Sequence, residues 1–410
     1  MRSPRAFGRA VLAVCCGFAV LAGGLPMRAM GDSLGETVRE MESSLRASPV
    51  ANAAGVGSTT RYAEGLLVAA LEVFEQSRHL DKPYFRRGDG IDGRPGLYNP
   101  DNIYYSSALL SDHGQYRVRG RRGSHAILTL QVLDAYPMVA LGRNLAVIDL
   151  DAMGIQPGES FELLLGGARR SGRWIPLPSG SRALLVRQTF SDWQRETPTV
   201  LAIERLDRDA PPVDSGVPGN TATDYLRAVD RTWNADYLPM LQRLPENRLP
   251  PPRQSDVGAG GLGGQQSVSA RYRLGPDRAL LITVKKSAAR YQGIQLGDPW
   301  FVTPNYVDHQ VSLTSAQAVA DADGHFRFVI SLRDPGVANW LDPAGFAEGY
   351  LFMRWQGLER ALMDDEAPVA ENVDLADLWI HLPAGTHRVT PEARREQLLH
   401  RQWAPIRQMP

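Results

Sequence analysis

The side chains best suited to chemistry are concentrated between Gly293 and Trp355, where Asp, Asn, His, Arg and Trp occupy predicted turns. Loops held by strands carry many functional sites, and they also form the ends of ordinary β-sandwiches, so both interpretations stay open. His309 is the best candidate for a general acid or base, because the adjacent carboxylate of Asp308 can tune its imidazole. The alternative carboxylate partners are Asp298, Asp334 and Asp342. The predicted catalytic residues are His309, Asp308, Asp334 and Asp342.

Indole faces and a guanidinium group predict ligand contacts in the same stretch. Trp300 and Trp340 can stack on a sugar or on a flat apolar ligand, and Arg333 can hold a carboxylate in a bidentate fork. Alternatively, Asp334-Pro-Gly and Asp342-Pro are turn formers, the two Trp anchor loops, and Arg333 forms an ion pair that fixes a loop. The predicted ligand-binding residues are Trp300, Asn305, Tyr306, Arg333, Asn339, Trp340, Asn102 and Arg119.

Several other kinds of site lack their residues. No serine is expected to form a hydrolytic pair with His125, because Ser124 and His125 would point to opposite faces of a strand, and the chain has no closely spaced His pair for a metal. The only cysteines, Cys15 and Cys16, lie in a predicted signal peptide, so the mature chain has no thiol to react. The Gly-rich run 258–264 lacks the Lys-Ser/Thr ending of a phosphate loop. We therefore predict no metal and no cofactor.

The charge balance argues against polyanionic partners. Lys and Arg total 45, and Asp and Glu also total 45, so the chain has no net field to attract nucleic acid or an anionic membrane. We predict a small-molecule ligand, no nucleic acid, and no membrane span once the signal is removed. The sequence leaves the oligomeric state open.

The beginning of the chain has the pattern of an export signal. Arg2, Arg5 and Arg9 precede an apolar run over residues 10–25, which has small residues towards its end. At about sixteen residues the run is short for a membrane span. We predict a signal peptide over residues 1–31 and a periplasmic or secreted protein.

The rest of the chain predicts a mainly β (α+β) protein with two antiparallel β-sandwich or jelly-roll-like domains and a few peripheral helices. Short β-branched and aromatic runs are separated by Gly, Pro and Asp, without long helices between them. The expected segments are N-terminal helices at 32–80, a first β domain at 81–210, a helix and Pro/Gly-rich linker at 211–265, a second β domain at 266–385 and a C-terminal helix at 386–410.

Local patterns predict individual elements within these segments. We expect helices at 33–46, at 61–80 and from a Thr221–Asp224 capping box to about residue 244. Asp323-Gly324 between alternating runs predicts a hairpin of strands 316–322 and 325–332. The first β domain is expected to contain strands at 103–110, 115–119, 125–133, 145–149, 160–165, 182–190 and 199–206. The Gly-rich run is either a mobile lid or a plain linker, and the terminal helix is expected to be a solvated face over a sheet edge.

Motifs of the second β domain resemble a known bacterial family. Ala320-Asp-Ala-Asp-Gly324, Arg333-Asp-Pro-Gly336, Asn339-Trp-Leu-Asp342 and Arg354-Trp355 occur in order, following Trp300-Phe301. They resemble the family catalogued as domain of unknown function 1214, over roughly residues 271–382. The resemblance implies a jelly-roll-like β fold for this region and no particular activity.

Two functional hypotheses follow. In the first, an exported non-catalytic module binds a small amphipathic or carbohydrate-like ligand between two β domains. In the second, a cofactor-independent enzyme, a hydrolase or lyase, uses His309 with a carboxylate from the C-terminal domain loops. A polar cleft that brings His309 within reach of a carboxylate from another loop favours the enzyme.

Overall fold

A computed structural model describes residues 27–88, 93–98, 102–207, 219–255 and 261–407. For residues 27–32, 87–88, 102–109 and 404–407 it describes the backbone only. The described chain is mainly β, with four sheets that form two sandwiches and with helices at both ends and between the sandwiches. This architecture confirms the predicted fold class.

Two long helices open the described chain, α1 (Met27–Ala47) and α2 (Pro49–Ser77). The predicted helices 33–46 and 61–80 lie within or overlap them, but both helices begin earlier. Helix α2 starts at Pro49 because the Ser48 side chain caps the Val50 N–H and a proline suits the first helical position. Gly55, with φ of 75°, then allows a kink.

The first sandwich contains strands β1 to β9, and each predicted strand of this domain is confirmed to within two residues. The strands are β1 (Arg86–Gly88), β2 (Asn102–Leu109), β3 (Tyr116–Arg121), β4 (Ile127–Leu133), β5 (Asn144–Asp149), β6 (Ser160–Leu165), β7 (Trp174–Ile175), β8 (Ala183–Thr189) and β9 (Val200–Arg205). The sheets run β1-β2-β8-β4-β5 and β7-β6-β3-β9, and every pairing is antiparallel except β6 with the two-residue β7.

Both faces of the first of these sheets are covered. Leu130 and Val186 point into the sandwich core, whereas Leu133 and Leu185 pack with Leu66 of α2 in a separate helical core. Strand β4 is accordingly buried at all seven positions. Its sequence, with five apolar residues in seven and no alternation of buried and exposed positions, reflects this double coverage.

A helical segment connects the sandwiches: α3 (Ala222–Asp230), a π-helical stretch (Arg231–Tyr237) and α4 (Leu238–Leu241). The predicted capping box is confirmed, because Thr221 Oγ1 accepts from the Asp224 N–H and the Asp224 carboxylate accepts from the Thr221 N–H. Leu226, Val229 and Trp233 bury their side chains in the helical core.

The second sandwich contains the remaining strands. They are β10 (Arg253–Gln254), β11 (Gln265–Arg273), β12 (Arg278–Lys285), β13 (Tyr291–Gly297), β14 (Ser312–Thr314), β15 (His325–Ser331), β16 (Trp340–Leu341), β17 (Glu348–Gln356) and β18 (Val369–Asp374). The sheets run β10-β11-β17-β13-β14 and β16-β15-β12-β18. Residues such as Ile282, Phe328 and Met353 fill the space between them.

The predicted hairpin around Asp323-Gly324 is wrong in its first strand. The turn forms, with the Gly324 N–H donating to the Asp321 carbonyl, and β15 follows it. Residues 316–322, however, contribute only the isolated bridge of Ala320 to Phe326. The amide of Asn339 instead bonds the backbone N–H and C=O of Val319, which takes those groups out of strand pairing.

The chain closes with a 3₁₀ turn (Asp364–Glu366), α5 (Leu378–His381) and α6 (Pro391–Arg407). The terminal helix was predicted, but its description as a solvated face is wrong for Arg394 and Arg401, which are 4% and 2% exposed. Within the described chain, no helix combines the length and apolarity needed to cross a bilayer.

Candidate functional site

His309 is paired with a carboxylate from another loop. Its Nδ1 lies 2.7 Å from Asp342 Oδ2, and the imidazole is 38% exposed. The Ala344 N–H donates to the other Asp342 oxygen, and the Asp342 N–H donates to the Gln310 carbonyl. The carboxylate is therefore fixed on both sides and orients the ring, so that in the neutral tautomer Nδ1–H donates and Nε2 remains an acceptor.

Asp308 does not join this pair. Its carboxylate accepts from the Asn305 amide at 2.6 Å and from the Gln402 amide of α6 at 2.9 Å. Asn305 also accepts from the Val307 N–H, which makes the segment a self-bonded turn. Tyr306 is buried and meets Trp193 edge to face at 6.5 Å. These three residues shape the loop that carries His309.

Asp334 and Arg333 also have partners that fix the chain. Asp334 Oδ2 accepts from Arg394 Nε of α6 at 2.9 Å, and the Gly336 N–H donates to its other oxygen. Arg333 pairs with Asp277 rather than with Asp334, and both of these side chains are exposed. Asp334 thus attaches the terminal helix to the second sandwich.

The two predicted stacking indoles are buried in separate places. Trp300 stacks on Tyr62 of α2, with 4.7 Å between centroids, and its Nε1 donates to Thr59 Oγ1. Trp340 donates through Nε1 to the Ser331 carbonyl and lies under the Arg394 guanidinium. The neighbouring Asn339 accepts a hydrogen bond from the Val319 N–H. These contacts correspond to the loop-anchor alternative.

Two predicted ligand contacts belong to the first sandwich. Arg119 bonds Glu162 at 3.0 Å on the exposed face of β3. Asn102 is the first residue of β2, and its side chain lies outside the described part of the structure.

Asp298 is a buried carboxylate that lies away from His309. Its Oδ1 accepts from the Trp300 and Val302 N–H groups, and its Oδ2 accepts from Ser58 Oγ of α2 at 2.5 Å. Full burial raises its pKa from 3.8 to about 6, against the lowering effect of these donors and of the Arg61 cation. The Asp298 carboxylate joins α2 to the second sandwich. The carboxylate partner of His309 is Asp342 instead.

A groove of about 950 Å³ opens between the first sandwich, the edge of the second sandwich at β14, and α6. This volume lies within the range of small-molecule sites. Its lining side chains are Asp192, Gln194, Arg195, Gln310, Leu313, Ala316, Gln317, Val319, Ala338, His387, Glu396, Gln397, Leu399, His400, Arg401 and Trp403. None of them was among the predicted site residues.

Sequence patterns gave little indication of this groove, because its walls come from parts of the chain that are far apart in sequence. The one available signal is the pair Leu399 and Trp403, which are four residues apart on α6 and remain 56% and 64% exposed. Apolar residues at that spacing share a helix face. Several predicted site residues form hydrogen bonds with the segments that line the groove. Asp308 accepts from Gln402, Asp334 accepts from Arg394, and Asn339 accepts from the Val319 N–H.

Among the residues that the structure describes, no three His, Cys, Asp or Glu side chains converge as a metal site would require. The His309–Asp342 pair and the groove are therefore the two arrangements with a chemical interpretation.

The chain is similar in structure to an uncharacterized protein from Burkholderia cenocepacia, with 27% sequence identity and a TM-score of 0.69 over 85% of this chain and 96% of that one. The VPA0106 protein from Vibrio parahaemolyticus gives 11% identity and a TM-score of 0.46, covering 80% of this chain and 100% of that one. No protein-family model and no curated protein matches the chain. The resemblance of residues 271–382 to the domain of unknown function 1214 stays a prediction.

Proposed function

We propose that this is an exported protein that binds a small amphipathic or carbohydrate-like ligand in the groove between the two sandwiches and α6. The observation that supports the proposal most is the groove itself, whose 950 Å³ mixes apolar and polar walls. Such a combination, apolar surface for affinity and a few polar groups for orientation, is typical of ligand sites.

The apolar wall is formed by exposed side chains. Val319, Leu399 and Trp403 are 43%, 56% and 64% exposed, respectively, and all three face the groove. Covering them with a ligand would remove apolar surface from water, at roughly 25 cal/mol per Å². The polar wall includes His387 and Gln317.

The groove has a rigid frame. Arg394 of α6 donates to the Val337 and Ala338 carbonyls as well as to Asp334, and the buried Arg401 lies 5.0 Å from the Trp193 ring centre and donates to the Ser312 carbonyl. A frame held in this way keeps its shape before a ligand arrives, which reduces the entropic cost of binding.

A second candidate function is a hydrolase or lyase that uses His309. The pair of His309 Nδ1 with Asp342 Oδ2 at 2.7 Å favours it, because this is the arrangement in which a carboxylate orients an imidazole for general base catalysis. In that role Nε2 would take a proton from a water molecule or from a substrate carbon.

One NMR experiment tests both candidates. Neutral sugars, octanoate and aromatic acids are incubated with the purified protein, and saturation transfer reports binding while new resonances report conversion. We expect binding by at least one class and a tenfold or greater loss in Leu399→Asp, since the new carboxylate faces the groove. Ile380→Asp, at an apolar residue of α5 that is 82% exposed, is the matched control.

The absence of binding by every class, or an equal loss in the control variant, would refute the binding function. Conversion that persists unchanged in His309→Asn would refute the catalytic one.

A further inference from the structure

We infer that the groove ligand is an uncharged, hydroxyl-rich molecule, a small neutral saccharide; this inference rests on the proposed binding function. It is based on the amide side chains of the groove, on the balance of its charges and on the position of Trp403.

Two glutamines of the groove are anchored at one end of the amide. The oxygen of Gln397 accepts from Arg394 at 2.9 Å. Gln310 is held the other way round, because its Nε2 donates to the Trp340 carbonyl at 2.6 Å. Anchoring fixes each side chain, so its remaining amide atom has a defined direction.

The remaining amide atoms are one donor and one acceptor. Within the described part of the chain, no protein group hydrogen-bonds Nε2 of Gln397 or Oε1 of Gln310, and both residues line the groove. A hydroxyl group both donates and accepts, so a molecule with several hydroxyls can satisfy such a mixed set. A carboxylate or phosphate supplies acceptors only and would leave the Gln310 oxygen without a donor.

The charges of the groove cancel. Asp192 lies 3.5 Å from Arg195, and Glu396 lies 3.9 Å from His400. The other arginine that lines the groove, Arg401, is 2% exposed and is directed towards Trp193 and the Ser312 carbonyl. A groove with two acidic and two arginine side chains has no net charge to attract an ion when its histidines are neutral.

Trp403 supplies a flat apolar face beside these amides. Its side chain is 64% exposed at the groove, one helical turn beyond Leu399. The C–H face of a pyranose ring can lie on an indole while the hydroxyls at its rim reach the glutamines, since aromatic side chains combine apolar area with a fixed plane.

The test is isothermal titration calorimetry of the whole protein with maltose, cellobiose and N,N′-diacetylchitobiose, and in parallel with digalacturonate, octanoate and trialanine. We expect at least one of the neutral disaccharides to bind. We also expect a loss of at least fivefold in Gln397→Leu and in Trp403→Ala, whereas Trp403→Phe retains most of the affinity. Gln156→Leu, which changes an exposed glutamine of the first sandwich, is the control for the amide variant.

The outcomes separate the two proposals. Binding of octanoate, trialanine or digalacturonate alone, abolished by Leu399→Asp, would overturn the saccharide inference and leave the binding function standing. Saccharide binding that Gln397→Leu and Trp403→Ala reduce no more than Gln156→Leu does would overturn the inference too, because the sugar would then bind elsewhere. Failure of all six compounds to bind would remove the support for both proposals.

Discussion

At the scale of single residues, the environment decides what each carboxylate does. Asp298 and Asp342 were both candidate partners for His309, and the fold gives that role to Asp342. Asp298 instead closes a turn in which Phe301 has a φ of 62°, a conformation that costs free energy in a non-glycine residue. Its bonds to Ser58, Trp300 and Val302 hold that turn against α2.

The raised pKa of Asp298 predicts a pH-dependent stability. The pKa of Asp298 is about 6 in the folded state, against 3.8 for an exposed carboxyl in the unfolded chain. The stability that the protonated carboxyl contributes is therefore fully present below pH 3.8 and is lost as pH rises through 6. Asp298→Asn keeps an acceptor for both backbone N–H groups and places an amide donor at Ser58. We therefore expect the difference in unfolding free energy, variant minus wild type, to increase by on the order of 2–3 kcal/mol between pH 4 and pH 7.

Urea unfolding at several pH values measures this difference, with Asp236→Asn at an exposed position as the control. A difference between wild type and Asp298→Asn that stays constant from pH 4 to pH 7 would contradict the prediction.

At the scale of elements, α6 is attached through buried arginines rather than through an apolar stripe. Arg394 lies 5.3 Å from the Trp340 ring centre and bonds Asp334 together with two carbonyls of the second sandwich. A buried guanidinium requires such a set of acceptors, because desolvation of an unpaired charge is costly. The Asp334 carboxylate is therefore one of the groups that hold the helix completing the groove, together with Asp308 and the Ser312 carbonyl.

We predict that Asp334→Asn loosens α6. The loss of the charge pair should cost about 1–3 kcal/mol, below the range for a fully buried pair because the Asp334 side chain is 29% exposed. Hydrogen exchange of the amides in residues 394–401 should become faster, which mass spectrometry can measure. Glu392→Gln breaks the exposed pair with Arg395 in the same helix and should change little. Equal exchange in the two variants would show that Asp334 does not hold the helix.

At the scale of the whole molecule, the two sandwiches meet through polar side chains. Thr189 Oγ1 of β8 donates to Gln356 Oε1 of β17 at 2.8 Å, and Gln356 Nε2 donates to Gln265 Oε1 at 2.7 Å. All three side chains are buried. Arg290 adds a bond to Asp151 of the first sandwich at 2.9 Å. Such a network orients the sandwiches, since each buried group must keep its partner.

Gln356→Ala should weaken this junction. The change leaves the Thr189 hydroxyl and the Gln265 oxygen without their partner, and each such buried group costs roughly 1–3 kcal/mol. We expect the unfolding free energy to fall by about 2 kcal/mol or more in urea denaturation. Gln156→Ala at an exposed site should have an effect within about 0.5 kcal/mol. A fall no larger than in that control would mean that water replaces the network without loss.

What the sequence determined by itself is local. The seven predicted strands of the first sandwich, the Thr221–Asp224 capping box and the terminal helix all follow from periodicity and from residues that interact with near neighbours in the chain. The sandwich class followed too, because alternating strands that are separated by turns have few other ways to bury their apolar faces.

Tertiary structure decided which distant groups meet. Asn339 prevented a first hairpin strand by bonding Val319, twenty residues earlier, and the Asp342 carboxylate reached His309 across thirty-three positions. Burial raises the pKa of Asp298, and a hydrogen bond from a serine 240 positions away opposes that rise. Periodicity carries no information on these contacts, because hydrogen bonding and desolvation depend on distance in space rather than on spacing along the chain.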